Sequence, residues 1–403
     1  MSELPPRARA PLVTLVVVCA VAPTSMNIVM PALPAIQAAF GIATGTAQLL
    51  VSLSIICVAV ATLGYGPLSD RFGRRPVLLA GLGLFLAGSV ICAIAPTIAV
   101  LIIGRVVQAV GGAAGLVLTR AIVRDLFDRE STARILAYLN MAMVISPMLA
   151  PFVGGLLVDT LSWRAIFLFT IAAGAVVFLA VLLRLPETRA ASADSAGIGP
   201  MLRGFAALAR SPVFCGYAVQ SAVLTAMFYV FTSTTPYLMV FVFHRPATEY
   251  GVYFMLLSVG YIIGNFLSTR LTPRLGIDRT VLVGSVFCTV AGTLVFGLAV
   301  AGIWGPLALF LPLALSTLAN GLAQPNIQAG AVSINPRLAG SASGLLTFVQ
   351  MAVAALSTQI VGTFEHDSPV PLGAMLIVMS TIGLLAFASA LRFQHRRRVR
   401  AAA

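Results

Sequence analysis

Apolar stretches of about 20 residues, long enough to cross a hydrocarbon core of roughly 30 Å as helix, recur from one end of the chain to the other. They predict spans at 11–34, 45–68, 77–95, 98–119, 135–156, 164–184, 212–242, 250–269, 280–302, 306–332, 342–364 and 371–391. Polar clusters punctuate them: Asp70-Arg71-Phe72-Gly73-Arg74-Arg75, the stretch Arg120–Arg134, Pro186–Ser211, Arg270–Arg279 and Asn335-Pro336-Arg337. The pattern predicts an all-α membrane protein of twelve transmembrane helices. The first apolar run continues through Pro23 and Met30 without a small-residue cleavage site, so it is expected to be a span rather than a secretory signal.

The longest interruption, Pro186–Ser211, separates an N-terminal six-helix bundle, 1–185, from a C-terminal one, 212–403, with a basic tail. Within this 186–211 linker, Met201–Leu208 is expected to form a short amphipathic helix on the membrane surface. Arg71-Phe72-Gly73 before the third span reappears as Arg274-Leu275-Gly276 before the ninth. Parallel repeats of this kind imply two related bundles with a substrate cavity between them near the midplane.

Composition agrees with the pattern. Of 403 residues, 59% are hydrophobic and 9% charged, where a soluble chain carries about 25% charged residues. A net charge of +13 invites a nucleic-acid role until the arginines are placed. With the N-terminus in the cytoplasm, 22 of the 25 basic residues fall on the cytoplasmic side, and none is a lysine. This asymmetry is a topology signal: both termini cytoplasmic, the lipid bilayer as partner, no nucleic acid. All five cysteines lie in apolar runs without a C-x-x-C spacing, so neither disulfides nor a metal site is expected. The three histidines fall in loops or the tail, and no phosphate loop is present. The expectation is a protein without catalytic residues, cofactor or direct use of ATP.

Three constellations carry candidate chemistry. Gly64 and Gly66 precede Asp70, Arg71, Gly73, Arg74 and Arg75 at the end of the second span. The small residues would admit a close neighbour, and Asp70 would accept charge-assisted bonds from the arginines or from a helix N-terminus. Such a cluster can latch one conformation and release another, which alternating access requires. Arg105 is a charged residue deep within a span. An arginine there costs roughly 2.5–3.5 kcal/mol on insertion scales, so it should face the bundle interior. On the fifth span Ser146, Ala150 and Gly154 form one small-residue stripe, with Pro147 and Pro151 each removing an amide donor.

These stretches resemble the major facilitator superfamily, and within it the bicyclomycin-resistance (Bcr/CflA) group of drug:proton antiporters. Besides the latch cluster, the similar segments are Pro31-Ala32-Leu33-Pro34, Arg105-Val106-Val107-Gln108, Arg120-Ala121-Ile122-Val123-Arg124-Asp125 and Ser146-Pro147-Met148-Leu149-Ala150-Pro151-Phe152-Val153-Gly154-Gly155. In the second half Thr235-Pro236-Tyr237 and Ala339-Gly340-Ser341-Ala342-Ser343-Gly344 are similar too. The resemblance implies coupling or charge sensing at Arg105, Gln108, Arg120, Arg124 and Asp125. It also implies an exporter's helix 5 whose stripe, with Gly155, packs on a C-terminal helix. Ser146 and Ala150 replace two glycines of that pattern, and Asn27 stands where related antiporters carry an aspartate.

An asparagine cannot release a proton, and every Asp and Glu falls in a loop or at a span end. Coupling could then run through Asp70 or Asp125, the substrate could bring the exchangeable charge, or transport could be uncoupled. The expected function is secondary efflux of drug-like molecules or metabolites by proton antiport, from a monomer in the cytoplasmic (inner) membrane. Alternatives are a dedicated exporter of one endogenous metabolite or siderophore, an uncoupled facilitator, and a membrane sensor. Candidate cavity residues are Asn27, Met30, Asn140, Met141, Tyr229, Phe231, Tyr237, Asn320, Gln324 and Gln350.

Overall fold

The structure is a computed structural model that describes residues 6–127, 129–188, 198–335, 338–364 and 367–402. Residues 189–197 of the expected linker, and Pro336 and Arg337, lie outside them. The described helices are α1 (Pro6–Ile28), α2 (Leu33–Phe40), α3 (Thr44–Phe72), α4 (Arg74–Ala93), α5 (Ile98–Leu126), α6 (Arg129–Thr160) and α7 (Trp163–Arg184). They continue as α8 (Ile198–Ala209), α9 (Pro212–Tyr237), α10 (Ala247–Leu275), α11 (Ile277–Val300), α12 (Pro306–Ser333), α13 (Ala339–Val361) and α14 (Val370–Ala402).

Among the described residues, twelve spans are long and apolar enough to cross a membrane. The first is not one uninterrupted helix: α1 gives way to a 3-10 turn, Met30–Ala32, before α2. Pro31 and Pro34 sit at the starts of the turn and of α2, where their missing amide donors break the α ladder at least cost. In the linker α8 begins at Ile198, ahead of the expected Met201. It rests on the start of α13: a Cβ at Gly204 would come 2.6 Å from the Ser341 hydroxyl, and Leu208 is buried.

Two compact units result. The first comprises Met1–Gly197 with Ala247–Gly251, and the second Ile198–Pro246 with Val252–Ala403. Inside the first, α5 lies almost backbone to backbone on α4, since a Cβ at Gly88 would meet the Gln108 Cα at 2.7 Å. On another side α5 meets α1, where a Cβ at Gly115 would come 2.7 Å from the Val18 carbonyl. Without an apolar effect between helices in lipid, close packing of small residues is what holds such bundles. In the second unit Gly284 of α11 faces Ala323 of α12 in the same manner.

The repeat seen in the sequence is a structural element. Gly73 (φ 94°, ψ 155°) joins α3 to α4, and Gly276 (φ 80°, ψ 164°) joins α10 to α11. Side chains strongly resist that backbone, so glycine at these two corners is a geometric requirement.

Candidate functional site

The Gly73 corner gathers residues that were read separately in the sequence. Gly73 is the N-cap of α4 and has no side chain to offer its amides. The Glu187 carboxylate supplies the cap instead, accepting from Arg74 N at 2.9 Å and Arg75 N at 3.2 Å. A negative charge is favourable at a helix N-terminus. Arg74, only 6% exposed, turns back and clasps two carboxylates. Its Nη1 lies 2.8 Å from Asp70 and donates to Ser69 Oγ at 2.5 Å, and its Nε donates to Asp125 at 3.0 Å. Arg75 donates to the Leu182 carbonyl at 2.7 Å, and Arg71 lies over the Phe72 ring. The expected latch and the expected coupling aspartate are thus one cluster with Arg74 at its centre. The space expected to admit a close neighbour is open: nothing lies within 4 Å of a Cβ built at Gly64 or Gly66.

Arg105 is 2% exposed on α5. Its Nη1 donates to Gln108 Oε1 at 2.6 Å and to the Ser25 carbonyl of α1 at 3.2 Å. Gln108 passes the chain on, donating to Ser89 Oγ of α4 at 2.7 Å and reaching Thr170 Oγ1 of α7 at 3.4 Å. Four helices are tied by one guanidinium and one amide. Among the described residues no carboxylate forms an ion pair with Arg105. Among the described residues its Nε, and Oδ1 of buried Asn27, have no hydrogen-bond partner. A buried cation without a counter-charge is costly, and it favours whatever neutral or negative group can approach it.

The α6 stripe faces a different neighbour from the one expected. The Ser146 hydroxyl bonds the Thr24 hydroxyl and donates to the Ala20 carbonyl at 3.2 Å, and Gly154 abuts the Ile28 carbonyl, so the stripe packs on α1. Ala150 between them is 2% exposed. Gly155, about 100° further round the helix, is the residue that meets the first turn of α10: a Cβ there would come 2.7 Å from the Thr248 Cα. That turn, Ala247–Gly251, belongs to the first unit. Asp159 caps it, accepting from Thr248 N at 2.7 Å, Ala247 N at 3.2 Å and Thr248 Oγ1 at 2.6 Å. α6 runs unbroken through Pro147 and Pro151.

In the second unit Ser221, passed over in the sequence, joins two of the candidates. It accepts from Gln350 Nε2 and donates to Gln324 Oε1 at 3.2 Å. Asn320 reaches the Leu224 carbonyl of α9 at 3.4 Å. Nearby, Gln220 donates to Ser285 Oγ at 2.8 Å. Of the other cavity candidates, Asn140 and Met141 are exposed on α6. Met30, Phe231 and Tyr237 are core residues, 0%, 1% and 1% exposed, and Tyr229 is also buried. Their apolar surfaces are used in packing, as in the contact of Phe231 with Phe228 at 5.4 Å between ring centroids. Sequence reasoning also missed Glu187 as the cap of α4 and the bond that the Tyr217 hydroxyl donates to Asp278. A glycine N-cap followed by charged helix could have signalled the need for an outside carboxylate, but not which one.

Comparison with known proteins places this architecture. The model of the Major Facilitator Superfamily matches residues 15–358. Multidrug resistance protein D of Escherichia coli is 28% identical over 379 residues, 93% of each chain. A bicyclomycin resistance protein homolog of Haemophilus influenzae is 24% identical over 82% of this chain and 83% of its own. Among solved structures, an inward-facing bacterial homolog of the lysosomal transporter Spinster superposes with a TM-score of 0.79 at 17% identity, over 97% of this chain and 98% of that one. With twelve spans, the paired glycine corners and a family match over most of its length, the chain belongs to the Major Facilitator Superfamily and is a multi-pass membrane transporter of small molecules.

Proposed function

We propose that this transporter is a secondary exporter of small organic molecules, working by alternating access and driven by proton exchange at the Asp70–Arg74–Asp125 cluster. The observation that carries the coupling is that carboxylates of two helices, Asp70 of α3 and Asp125 of α5, meet on one buried guanidinium, Arg74 of α4. Protonation of an aspartate loosens its grip on Arg74 and lets these helices part, which ties proton exchange to the change of conformation. Export is supported by the helix α6 pattern and by likeness to relatives named for multidrug and bicyclomycin resistance. The protein would act as a monomer in the cytoplasmic membrane, with both termini in the cytoplasm as the arginine asymmetry indicates.

A second reading, an uncoupled facilitator, is favoured by Asn27, which holds no exchangeable proton and lies near the Ser25 carbonyl that Arg105 uses. Uptake into inverted membrane vesicles separates the two. A panel of unrelated antibiotics and dyes is offered with and without an imposed pH gradient. The proposal expects at least one compound to accumulate above equilibrium only with the gradient. Uptake that stops at equilibrium with and without it supports the facilitator, and accumulation of a single endogenous metabolite would make the protein a dedicated exporter. No uptake of any compound would refute export.

A further inference from the structure

Beyond the Arg105 network, α5 carries two more guanidinium groups, on Arg120 and Arg124. They stand four residues apart and so on one face of the helix. Both are exposed. Arg124 Nε donates to the Arg120 carbonyl at 3.3 Å, and Arg120 Nη2 reaches only the Met143 sulfur of α6, at 3.7 Å. Neither guanidinium forms an ion pair among the described residues, because the neighbouring carboxylate, Asp125, is held by Arg74. The same face of α5 also bears Ala109 and Ala113, which are 6% and 0% exposed. The face is therefore buried at these alanines and exposed at the two arginines.

Two like charges one helical turn apart repel each other. An oxyanion placed between them relieves the repulsion and accepts charge-assisted bonds from both planar forks. We infer that Arg120 and Arg124 form an entry site for the carboxylate, sulfonate or phosphate of an organic anion, with Met143 offering an adaptable apolar surface to the rest of the molecule. The inference rests on the transporter function proposed above and narrows it: the substrates include amphiphilic anions, captured at this site before they meet Arg105. A lipid headgroup phosphate presents the same chemistry, and the test separates the two sources.

Full-length protein is reconstituted in nanodiscs of phosphatidylcholine alone or mixed with phosphatidylglycerol, and binding of 6-carboxyfluorescein is followed by fluorescence anisotropy. Saturable binding is expected in phosphatidylcholine, weakened by about tenfold or more in Arg120→Gln/Arg124→Gln. The Arg120→Lys/Arg124→Lys variant, which keeps both charges and guards against a folding artefact, should retain most of the affinity. Loss of dye binding to the wild type on adding phosphatidylglycerol keeps the oxyanion site but assigns it to lipid. No saturable binding to the wild type, or equal binding to the Gln variant, overturns the inference. Dye binding that depends on both arginines in a protein that exports nothing would defeat the export proposal alone. Export with normal dye binding in the Gln variant would defeat only this site.

Discussion

At Gly73 and Gly276 the chain turns from one span into the next with nearly the same backbone, φ 94° and 80°, yet the two corners are held in different ways. The first is charged: Glu187 caps α4, and Arg74 clasps Asp70 and Asp125. At the second, the Tyr217 hydroxyl donates to Asp278 in the first turn of α11, and Tyr217 in turn packs on Phe387 with ring centroids 5.1 Å apart. The same contrast runs through the unit interiors. The first buries a guanidinium at Arg105, whereas the second connects Gln350, Ser221 and Gln324 through uncharged groups. The two corners share a backbone solution and differ in the side chains that hold it. Among the described residues the buried charges, Arg74 and Arg105, lie in the first unit, and the interior of the second is joined through neutral side chains.

The largest effect should come from Arg74→Ala, which leaves Asp70, Asp125 and the Ser69 hydroxyl without their shared donor. Because both carboxylates are partly exposed, at 32% and 22%, the loss of stability should be about 1–3 kcal/mol rather than that of a sealed pair. Initial transport rates in proteoliposomes should fall by about tenfold or more, since the clasp would be absent from every state of the cycle. A thermal melt alongside the rates checks both figures. If Asp278→Ala at the other corner is equally damaging to transport, the contrast between corners is without functional meaning.

Next in size is glycine replacement. Gly73→Ala meets a backbone strain of about 1–3 kcal/mol and also crowds the cap, since its Cβ would fall 2.8 Å from Glu187 Oε2. Gly276→Ala meets the strain alone, because the space around it is open. The melting temperature should therefore drop more for Gly73→Ala, and equal drops would show that the Glu187 contact adds nothing. Glu187→Gln should then cost about 0.5–2 kcal/mol as the charged cap is weakened. Tyr217→Phe, which removes one hydrogen bond at the second corner, should cost about 0.5–1.5 kcal/mol and leave proton coupling unchanged.

How far the sequence reached follows from the range of each interaction. The spans and the paired glycine corners are written locally, in apolar run length and in a repeated Arg-x-Gly, and they could be placed before any coordinates. The cap on α4 comes from Glu187, separated from Arg74 by 113 positions, and no local pattern names such a partner. Ser146, Ala150 and Gly154 were correctly placed on one face, but the identity of the helix they meet is a tertiary fact. Ser146 and Gly154 meet α1 in place of the expected C-terminal helix, whereas Gly155, expected to share that contact, does meet α10. Met30, Phe231 and Tyr237 show the same limit: an aromatic or thioether in a span serves a cavity or a core equally well until its neighbours are known.

Proton exchange is proposed to belong to the charged corner of the first unit and not to its counterpart in the second. Substrate-driven proton movement in proteoliposomes, read by an internal pH dye, tests it most directly when wild type is compared with Asp70→Asn, Asp125→Asn and Asp278→Asn. Wild type and Asp278→Asn are expected to move protons with substrate, while at least one of Asp70→Asn and Asp125→Asn moves substrate without them or stalls. Undiminished substrate-coupled proton movement in both first-corner variants, or its loss in Asp278→Asn alone, would contradict it.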